Sequence, residues 1–222
     1  MAAERARSGG RGAGVRAVTP LVPAVVAFGV SFGVLARTAG MGPVAATAMS
    51  ATTFAGSAQF AAASVLKASG GALAAIAAAV LLNVRYAPMS IAVAPDFSGP
   101  WWRRLLQSQL IVDESWALSI RGPGAFDVDA LIGAGLVLYP TWVSSTVAGA
   151  LAGDLIGHPA RIGLDAAFPA LFLGLLVPIV TSRRALAAAV AGGAIALVFV
   201  PFAPPGVPIV ASAAACLIGW RR

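Results

Sequence analysis

Residues 72–94 read ALAAIAAAVLLNVRYAPMSIAVA, and this stretch determines the class of fold. An α-helix needs about 20 predominantly apolar residues to cross a bilayer, so the stretch is long enough. Its apolar residues are continuous, whereas a strand of a membrane β-barrel alternates in character over about ten residues. Pro88 removes one helical hydrogen bond and crowds the carbonyl group of Val84. The stretch therefore predicts a membrane helix that is kinked beside Asn83 and Arg85.

The whole chain has the composition of a membrane protein. Of its 222 residues, 59% are hydrophobic and only 10% are charged, whereas soluble domains average about 25% charge. The mean hydropathy of +0.89 leaves too little polar surface to coat a water-soluble globule. The net charge of +7 comes from Lys and Arg residues that mostly flank apolar runs. That placement is typical of residues that set membrane orientation, so we reject nucleic-acid binding.

Signatures of catalysis and of metal binding are absent from the sequence. Cys216 is the one cysteine and His158 the one histidine, so we expect neither an intramolecular disulfide nor a metal cluster built on these residue types. No HExxH, CxxC or Walker A pattern occurs. We therefore expect that the protein is not an enzyme and holds no cofactor.

Eight apolar segments predict an all-α fold, a polytopic membrane helix bundle of about eight spans. Pro and Gly break several of these segments, which membrane helices tolerate where neighbours or a wet cavity satisfy the freed backbone groups. A weak match between residues 20–33 and 169–178 leaves an inverted repeat open. The segments are 18–36, 43–66, 72–94, 105–120, 130–152, 166–181, 185–202 and 206–220.

We divide the chain into a disordered cytoplasmic N-terminal tail, residues 1–16, and a single transmembrane transport domain, residues 17–222. Segment 105–120 is the weakest, because it contains two acids and two glutamines. Eight spans with a cytoplasmic N-terminus place ten Lys or Arg residues inside and four outside, whereas a non-spanning fourth segment gives six and eight. The positive-inside rule therefore favours eight spans with both termini in the cytoplasm.

Charged side chains near the centres of predicted spans are the strongest candidates for function. Arg85 lies near the centre of segment 72–94, and Asp113 and Glu114 lie near the centre of segment 105–120. A charge at the bilayer centre costs about 3 kcal/mol on insertion scales, so it needs a partner or a wet cavity. Adjacent residues on a helix point about 100° apart, so one Arg cannot pair with both acids. The remaining carboxylate could carry a proton or receive a substrate ammonium group; alternatively, all three residues only hold helices together.

Uncharged polar and aromatic residues in the other spans are further candidates for a substrate pathway. The run FAGSAQFA at 54–61 brings flexible backbone and hydrogen-bonding groups into the second segment, and backbone N–H groups freed at a helix break can bind a carboxylate. An amide in the third segment offers donors and acceptors, and two aromatic rings in the fifth suit a pocket wall. The alternative for each is ordinary helix packing. These candidates are Gly56, Ser57, Gln59, Asn83, Tyr139 and Trp142.

The order of these motifs resembles the AzlC family, the large subunits of AzlCD-type branched-chain amino-acid exporters. The matching stretches are FAGSAQF at 54–60, LLNVRY at 81–86, VDE at 112–114 ahead of Trp116, LYPTW at 138–142 and FPALFLGLLVP at 168–178. The resemblance implies proton-coupled secondary export of branched-chain or related amino acids across the bacterial inner membrane. It also implies a small multi-span AzlD-like membrane subunit as partner. Val112 and Tyr86 stand where family members often have Thr and His, so a proton relay here would depend on the carboxylates.

Two other functions fit the same residues. The protein could be a transporter or channel for another small solute, since polar residues within the membrane do not define the direction of transport. It could also be a non-transporting membrane scaffold whose polar residues only guide assembly.

Overall fold

A computed structural model of the chain describes residues 9–203, except 68, 70, 123, 157–172, 174, 175, 178 and 179, and residues 207–220. The predicted all-α class is confirmed, because the only strands in these ranges are the short pair β1 (Ile120–Gly122) and β2 (Ala125–Phe126). In chain order the helices are α1 (Gly10–Thr38), α2 (Pro43–Thr53), α3 (Gly56–Lys67), α4 (Ala72–Asp96), α5 (Trp101–Ser108), α6 (Asp113–Ser119), α7 (Val128–Ile156), α8 (Arg183–Phe199), α9 (Val207–Ser212) and α10 (Leu217–Trp220).

Three of the described helices, α1, α4 and α7, are long and apolar enough to cross a membrane. The helices α1 and α7 pack side by side in the same direction. A Cβ atom on Gly14 would collide with the backbone of Ala130 near the start of α7, and one on Gly33 would collide with the backbone of Thr146 further along. Lipid gives no hydrophobic drive between helices, so small residues that permit close contact hold such pairs together. We call the end where both helices begin the near face and the opposite end the far face.

The predicted span 43–66 does not cross the bundle but turns back inside it. Its first half, α2, starts at the far face and runs inward against α7. The Ser50 hydroxyl meets that of Thr146 at 2.9 Å, and further in the rings of Phe54 and Tyr139 have centroids 5.1 Å apart. Phe54 has a φ of 40°, in the left-handed region where many helices end. The sequence masks this reversal because the residues around it are as apolar as a continuous span.

The second half, α3, returns the chain to the far face. It packs antiparallel against the first part of α4, with Ala62 and Val65 beside Ala75 and Ala78. Only residues 68–71 separate the end of α3 from the start of α4. We call α2 and α3 the far-face hairpin, and its tip is Phe54 with Ala55.

The helix α4 then crosses from the far face to the near face. Leu82 packs on Ala58 beside the hairpin tip, and Val93 packs on Leu131 near the start of α7. Regular α-helix is interrupted between Ala72–Asn83 and Tyr86–Val93. The break lies where Pro88 predicted a kink, beside Asn83 and Arg85.

The predicted span 105–120 is also not one helix, which corrects the sequence prediction. It consists of α5 and α6, with 8 and 7 residues, joined by residues 109–112. The start of α5 follows the end of α4 after four residues, and the Ser119 carbonyl at the end of α6 accepts from the Asp127 N–H at 2.8 Å beside the start of α7. Both ends therefore lie at the near face, and we call α5 and α6 the near-face hairpin. Because the segment is broken, its polar residues contact other helices. They would lack such partners on a continuous helix that faced lipid.

Two other predictions concern the chain ends. The stretch 1–16 was predicted to be a disordered tail, but α1 already begins at Gly10, because Gly14 packs directly on α7; residues 1–8 lie outside the described part. Most of segment 166–181 also lies outside it, and with it the half of the proposed inverted repeat at 169–178. Beyond it, α8 packs against α9 and α10.

Candidate functional site

An ion pair joins the break in α4 to the start of α6. Arg85 Nη2 lies 2.7 Å from Asp113 Oδ2, and the Tyr86 hydroxyl lies 3.4 Å from the same carboxylate oxygen. The Arg85 guanidinium also lies 5.1 Å from the centre of the Tyr86 ring, in cation–π range. The side chains of Arg85 and Asp113 remain 30% and 26% exposed. The predicted contact of Arg85 with a carboxylate is therefore present, and a solute could reach it.

Glu114 is the second acid in the first turn of α6. Among the ion pairs of the described residues, Arg85 pairs with Asp113 and no cation pairs with Glu114. Adjacent helical residues point in different directions, which accounts for this division. In the described part of the chain, the half-buried Glu114 carboxylate therefore lies beside the Arg85–Asp113 pair and has no cationic partner.

The tip of the far-face hairpin presents backbone donors beside this pair. The first helical bond of α3 runs from the Gln59 N–H to the Ala55 carbonyl at 3.0 Å, so the N–H groups of Gly56 and Ser57 precede it. The Ser57 hydroxyl oxygen is buried and has no hydrogen-bond partner in the described structure. Ala55 packs in one cluster with Tyr86. The positive end of the α3 dipole therefore lies close to the Arg85 pair and suits an anion.

Gln59 and Trp142 were predicted to line the pathway, and in this conformation they bond to each other instead. The Trp142 Nε1–H donates to Gln59 Oε1 at 2.9 Å, and Gln59 Nε2 donates to Ser50 Oγ at 2.7 Å. Ser50 also meets the Thr146 hydroxyl at 2.9 Å. Gln59 is fully buried and Trp142 is 6% exposed. This network attaches the far-face hairpin to α7 and positions its tip.

Gln109, which the sequence did not single out as a site residue, connects the two hairpins. Its Nε2 donates to the Thr52 carbonyl at 3.0 Å, with the Ala51 carbonyl at 3.4 Å. The Tyr139 hydroxyl donates to the Ala51 carbonyl at 2.8 Å. The last carbonyl groups of a helix have no partner within it, so these two side chains cap the inner end of α2. The sequence showed a glutamine within an apolar run, but it did not show which carbonyl group this glutamine would contact.

Asn83 lines a groove between the far-face hairpin and α4 that has a volume of about 370 Å³. The walls are mostly apolar and include Met49, Leu66, Ile76 and Val80. The Asn83 Oδ1 atom is buried and accepts no hydrogen bond within the described residues. An apolar groove with one free acceptor suits a small amphiphilic solute.

The predicted residues thus form two groups. One surrounds the far-face tip and the α4 break, and the other is the buried support behind it. No group of three His, Cys, Asp or Glu residues in the described ranges could hold a metal ion. The first group is Gly56, Ser57, Asn83, Arg85, Asp113 and Glu114; the second is Gln59, Tyr139 and Trp142.

Two ion pairs lie at the near face, one between the first turns of α1 and α7 and one just before α7. Arg11 Nε lies 3.3 Å from Asp129 Oδ1, and Arg121 Nη2 lies 2.5 Å from Asp127 Oδ2. Partial burial alone would raise the pKa of Asp127, but hydrogen bonds from Arg121 and from the Ala130 N–H outweigh it and lower that pKa. This carboxylate is therefore a stable anion at neutral pH.

Comparisons with known proteins find membrane proteins among the relatives of this chain. A model of the family described as "AzlC protein" matches residues 20–156, which include both hairpins, α4, α7 and α1 from residue 20 onward. An uncharacterized membrane protein of Archaeoglobus fulgidus is 35% identical over 205 residues, 90% of each chain. One of Helicobacter pylori is 25% identical over 152 residues, covering 67% of this chain and 66% of the relative. No solved structure matches the chain.

Proposed function

The chain belongs to the AzlC family of membrane proteins, and from that premise we propose that it is a secondary transporter that exports branched-chain or related amino acids. The observation that carries the proposal is the Arg85–Asp113 ion pair at the point where a broken spanning helix meets a hairpin tip. Broken helices of this kind form the substrate sites of many secondary transporters, because their free backbone groups and dipoles bind charged solutes.

A zwitterionic amino acid needs three kinds of contact, and we assign them to groups at the α4 break and to the groove that Asn83 lines. The N–H groups of Gly56 and Ser57, with Arg85, are donors for the substrate carboxylate. Asp113 or Glu114 accepts from the ammonium group. The groove beside Asn83 offers apolar walls for an aliphatic side chain. A substrate carboxylate that competes with Asp113 for Arg85 would free Asp113 for the substrate ammonium.

We further propose proton coupling through Glu114. Among the described residues Glu114 forms no ion pair, whereas the adjacent Asp113 pairs with Arg85. Taking up a proton would remove an isolated charge from a half-buried position, so a cycle of protonation would be linked to occupancy of the neighbouring site.

The orientation and the partner complete the proposal. The re-entrant path of 105–120 moves Arg103 and Arg104 to the near face, where Arg11, Arg16 and Arg121 also lie. By the positive-inside rule, this distribution of arginines supports a near face and an N-terminus in the cytoplasm. The location is then the inner membrane, and the partner is the small AzlD-like multi-span subunit that the resemblance implies.

The test is efflux of labelled valine or isoleucine from preloaded vesicles, with and without the small subunit. We expect Asp113→Asn to slow efflux at least about tenfold, since the change breaks a partly buried charge pair. Glu114→Gln should leave substrate binding measurable but make efflux insensitive to a pH gradient. Asp129→Asn is the matched control, because its carboxylate pairs with Arg11 on the near face, away from the site. Equal efflux from wild type, empty vesicles and Asp113→Asn would refute the proposal.

A further inference from the structure

The short helix α5 is amphipathic, with apolar residues on one face and polar residues on the other. Its sequence is WWRRLLQS. At 100° per residue, Trp101, Trp102, Leu105 and Leu106 fall on one side, and the polar residues from Arg103 to Ser108 fall on the other. This segregation is typical of a helix at a membrane boundary, with its apolar face against the acyl chains and its polar face towards headgroups and protein. The helix slopes inward from the near face, since Gln109 beyond its end contacts the inner end of α2.

The apolar face of α5 is not covered by the protein. Trp101 is 77% exposed, Trp102 53%, Leu105 61% and Leu106 65%. None of its eight residues is buried. Four large side chains on one short helix form an apolar patch of the kind that marks a contact with membrane or protein.

The position of α5 indicates the bilayer surface as the contact. It begins four residues after α4 reaches the near face, so its tryptophans lie at the level where membrane proteins concentrate these residues. Arg103 and Arg104 are both exposed. Arg104 donates to the Ala94 carbonyl at 3.2 Å, and no carboxylate among the described residues pairs with either arginine. Their charge is available to an anion in the headgroup layer.

We propose that α5 is a binding surface for anionic phospholipid, with Trp101, Trp102, Leu105 and Leu106 in the acyl region and Arg103 and Arg104 on the phosphate groups. A lipid phosphodiester offers the acceptors that arginine binds best. Clusters of basic residues on amphipathic segments of the cytoplasmic side bind such lipids by charge.

The α5 surface is linked to the far-face hairpin. Gln109 follows the last residue of α5 and holds the inner end of α2 through the Thr52 carbonyl at 3.0 Å. A lipid that fixes the depth of α5 therefore also fixes Gln109 against the far-face hairpin. The inference goes beyond the proposed transport function and does not need a particular substrate.

The test is native mass spectrometry of the purified full chain in detergent, titrated with phosphatidylglycerol or with phosphatidylcholine. We expect wild type to retain phosphatidylglycerol preferentially. Arg103→Gln with Arg104→Gln should weaken its apparent affinity about fivefold per charge removed. Arg103→Lys with Arg104→Lys keeps the charge and should keep most of the preference. A fluorescence melting curve for each variant establishes that it is folded.

Two outcomes would overturn the proposal. The Arg103→Gln, Arg104→Gln variant could retain phosphatidylglycerol as well as wild type does, or wild type could bind both lipids equally. Because lipid retention is measured without any solute, failure of the amino-acid efflux assay does not affect this test.

Discussion

Replacing Gln59 with leucine should separate the far-face hairpin from α7 and lower the stability of the protein. The two side chains have similar size, so the change removes hydrogen bonds without opening a large cavity. Gln59 donates to Ser50 at 2.7 Å and accepts from Trp142 at 2.9 Å, with no exposed surface. Ser50 keeps its contact with Thr146, but the Trp142 N–H loses its acceptor.

The expected size of the effect follows from these partners. A hydrogen bond between membrane helices contributes about 0.6 kcal/mol on average and at most about 1.7 kcal/mol. A buried donor left without a partner costs roughly 1–3 kcal/mol. Gln59→Leu should therefore lower the free energy of unfolding by about 2–4 kcal/mol. Gln107→Leu in α5 is the matched control. The Gln107 Oε1 atom has no hydrogen-bond partner in the described structure, so the change should alter the free energy of unfolding by less than about 0.5 kcal/mol.

The assay is unfolding of the purified protein in mixed micelles with increasing sodium dodecyl sulfate, followed by circular dichroism. A double-mutant cycle with Trp142→Phe isolates the pair, and its coupling energy should be about 0.5–1.5 kcal/mol. If Gln59→Leu is as stable as the Gln107→Leu control, or if the coupling energy is zero, the network does not hold the hairpin and our account of the tip is wrong.

The other predictions concern packing, the contact between hairpins and acid stability. Gly33→Ala should destabilise the protein by about 1–3 kcal/mol in the same unfolding assay, because the added methyl group meets the backbone of α7; Gly193→Ala, which meets nothing within 4 Å in the described structure, should not. Gln109→Ala should change the rate of solute efflux about two- to tenfold by releasing the Thr52 carbonyl, and a rate equal to wild type would contradict that role. Asp127 has a lowered pKa, so its contribution to stability is present above its unfolded pKa and is lost as pH falls through its folded pKa. Wild type should therefore lose more stability than Asp127→Asn between about pH 5 and pH 3, and parallel melting temperatures over that range would rule this out.

The sequence located the spanning helices well. Segments 72–94 and 130–152 correspond to α4 (Ala72–Asp96) and to α7 (Val128–Ile156), because a backbone in lipid must satisfy its own hydrogen bonds and a helix does so. It failed at 43–66 and 105–120, where the chain reverses. Hydropathy adds up side chains and does not register a backbone turn. The turn at Phe54 requires a left-handed φ, and phenylalanine does not indicate that conformation in a sequence.

The candidate site was predictable in part. One arginine and two acids at comparable depths in the sequence indicated an ion pair, and Arg85 forms one. Which acid would form it was not predictable, because the choice depends on the direction of Asp113 and Glu114 around α6, and α6 begins at a break that the sequence did not indicate. The burial of Gln59 was likewise not predictable, since a glutamine just after a turn can face a pore or a neighbouring helix equally well.

The parallel arrangement of α1 and α7 affects how the protein is made. Roughly 90 residues separate the end of one from the start of the other, and ribosomes add about 5–20 residues each second. The first helix must therefore wait in the lipid for several seconds with its glycine-lined side unoccupied. During that interval the segments between α1 and α7 also lack α7 to pack against. A membrane chaperone or the translocon would therefore stabilise the chain most at that stage.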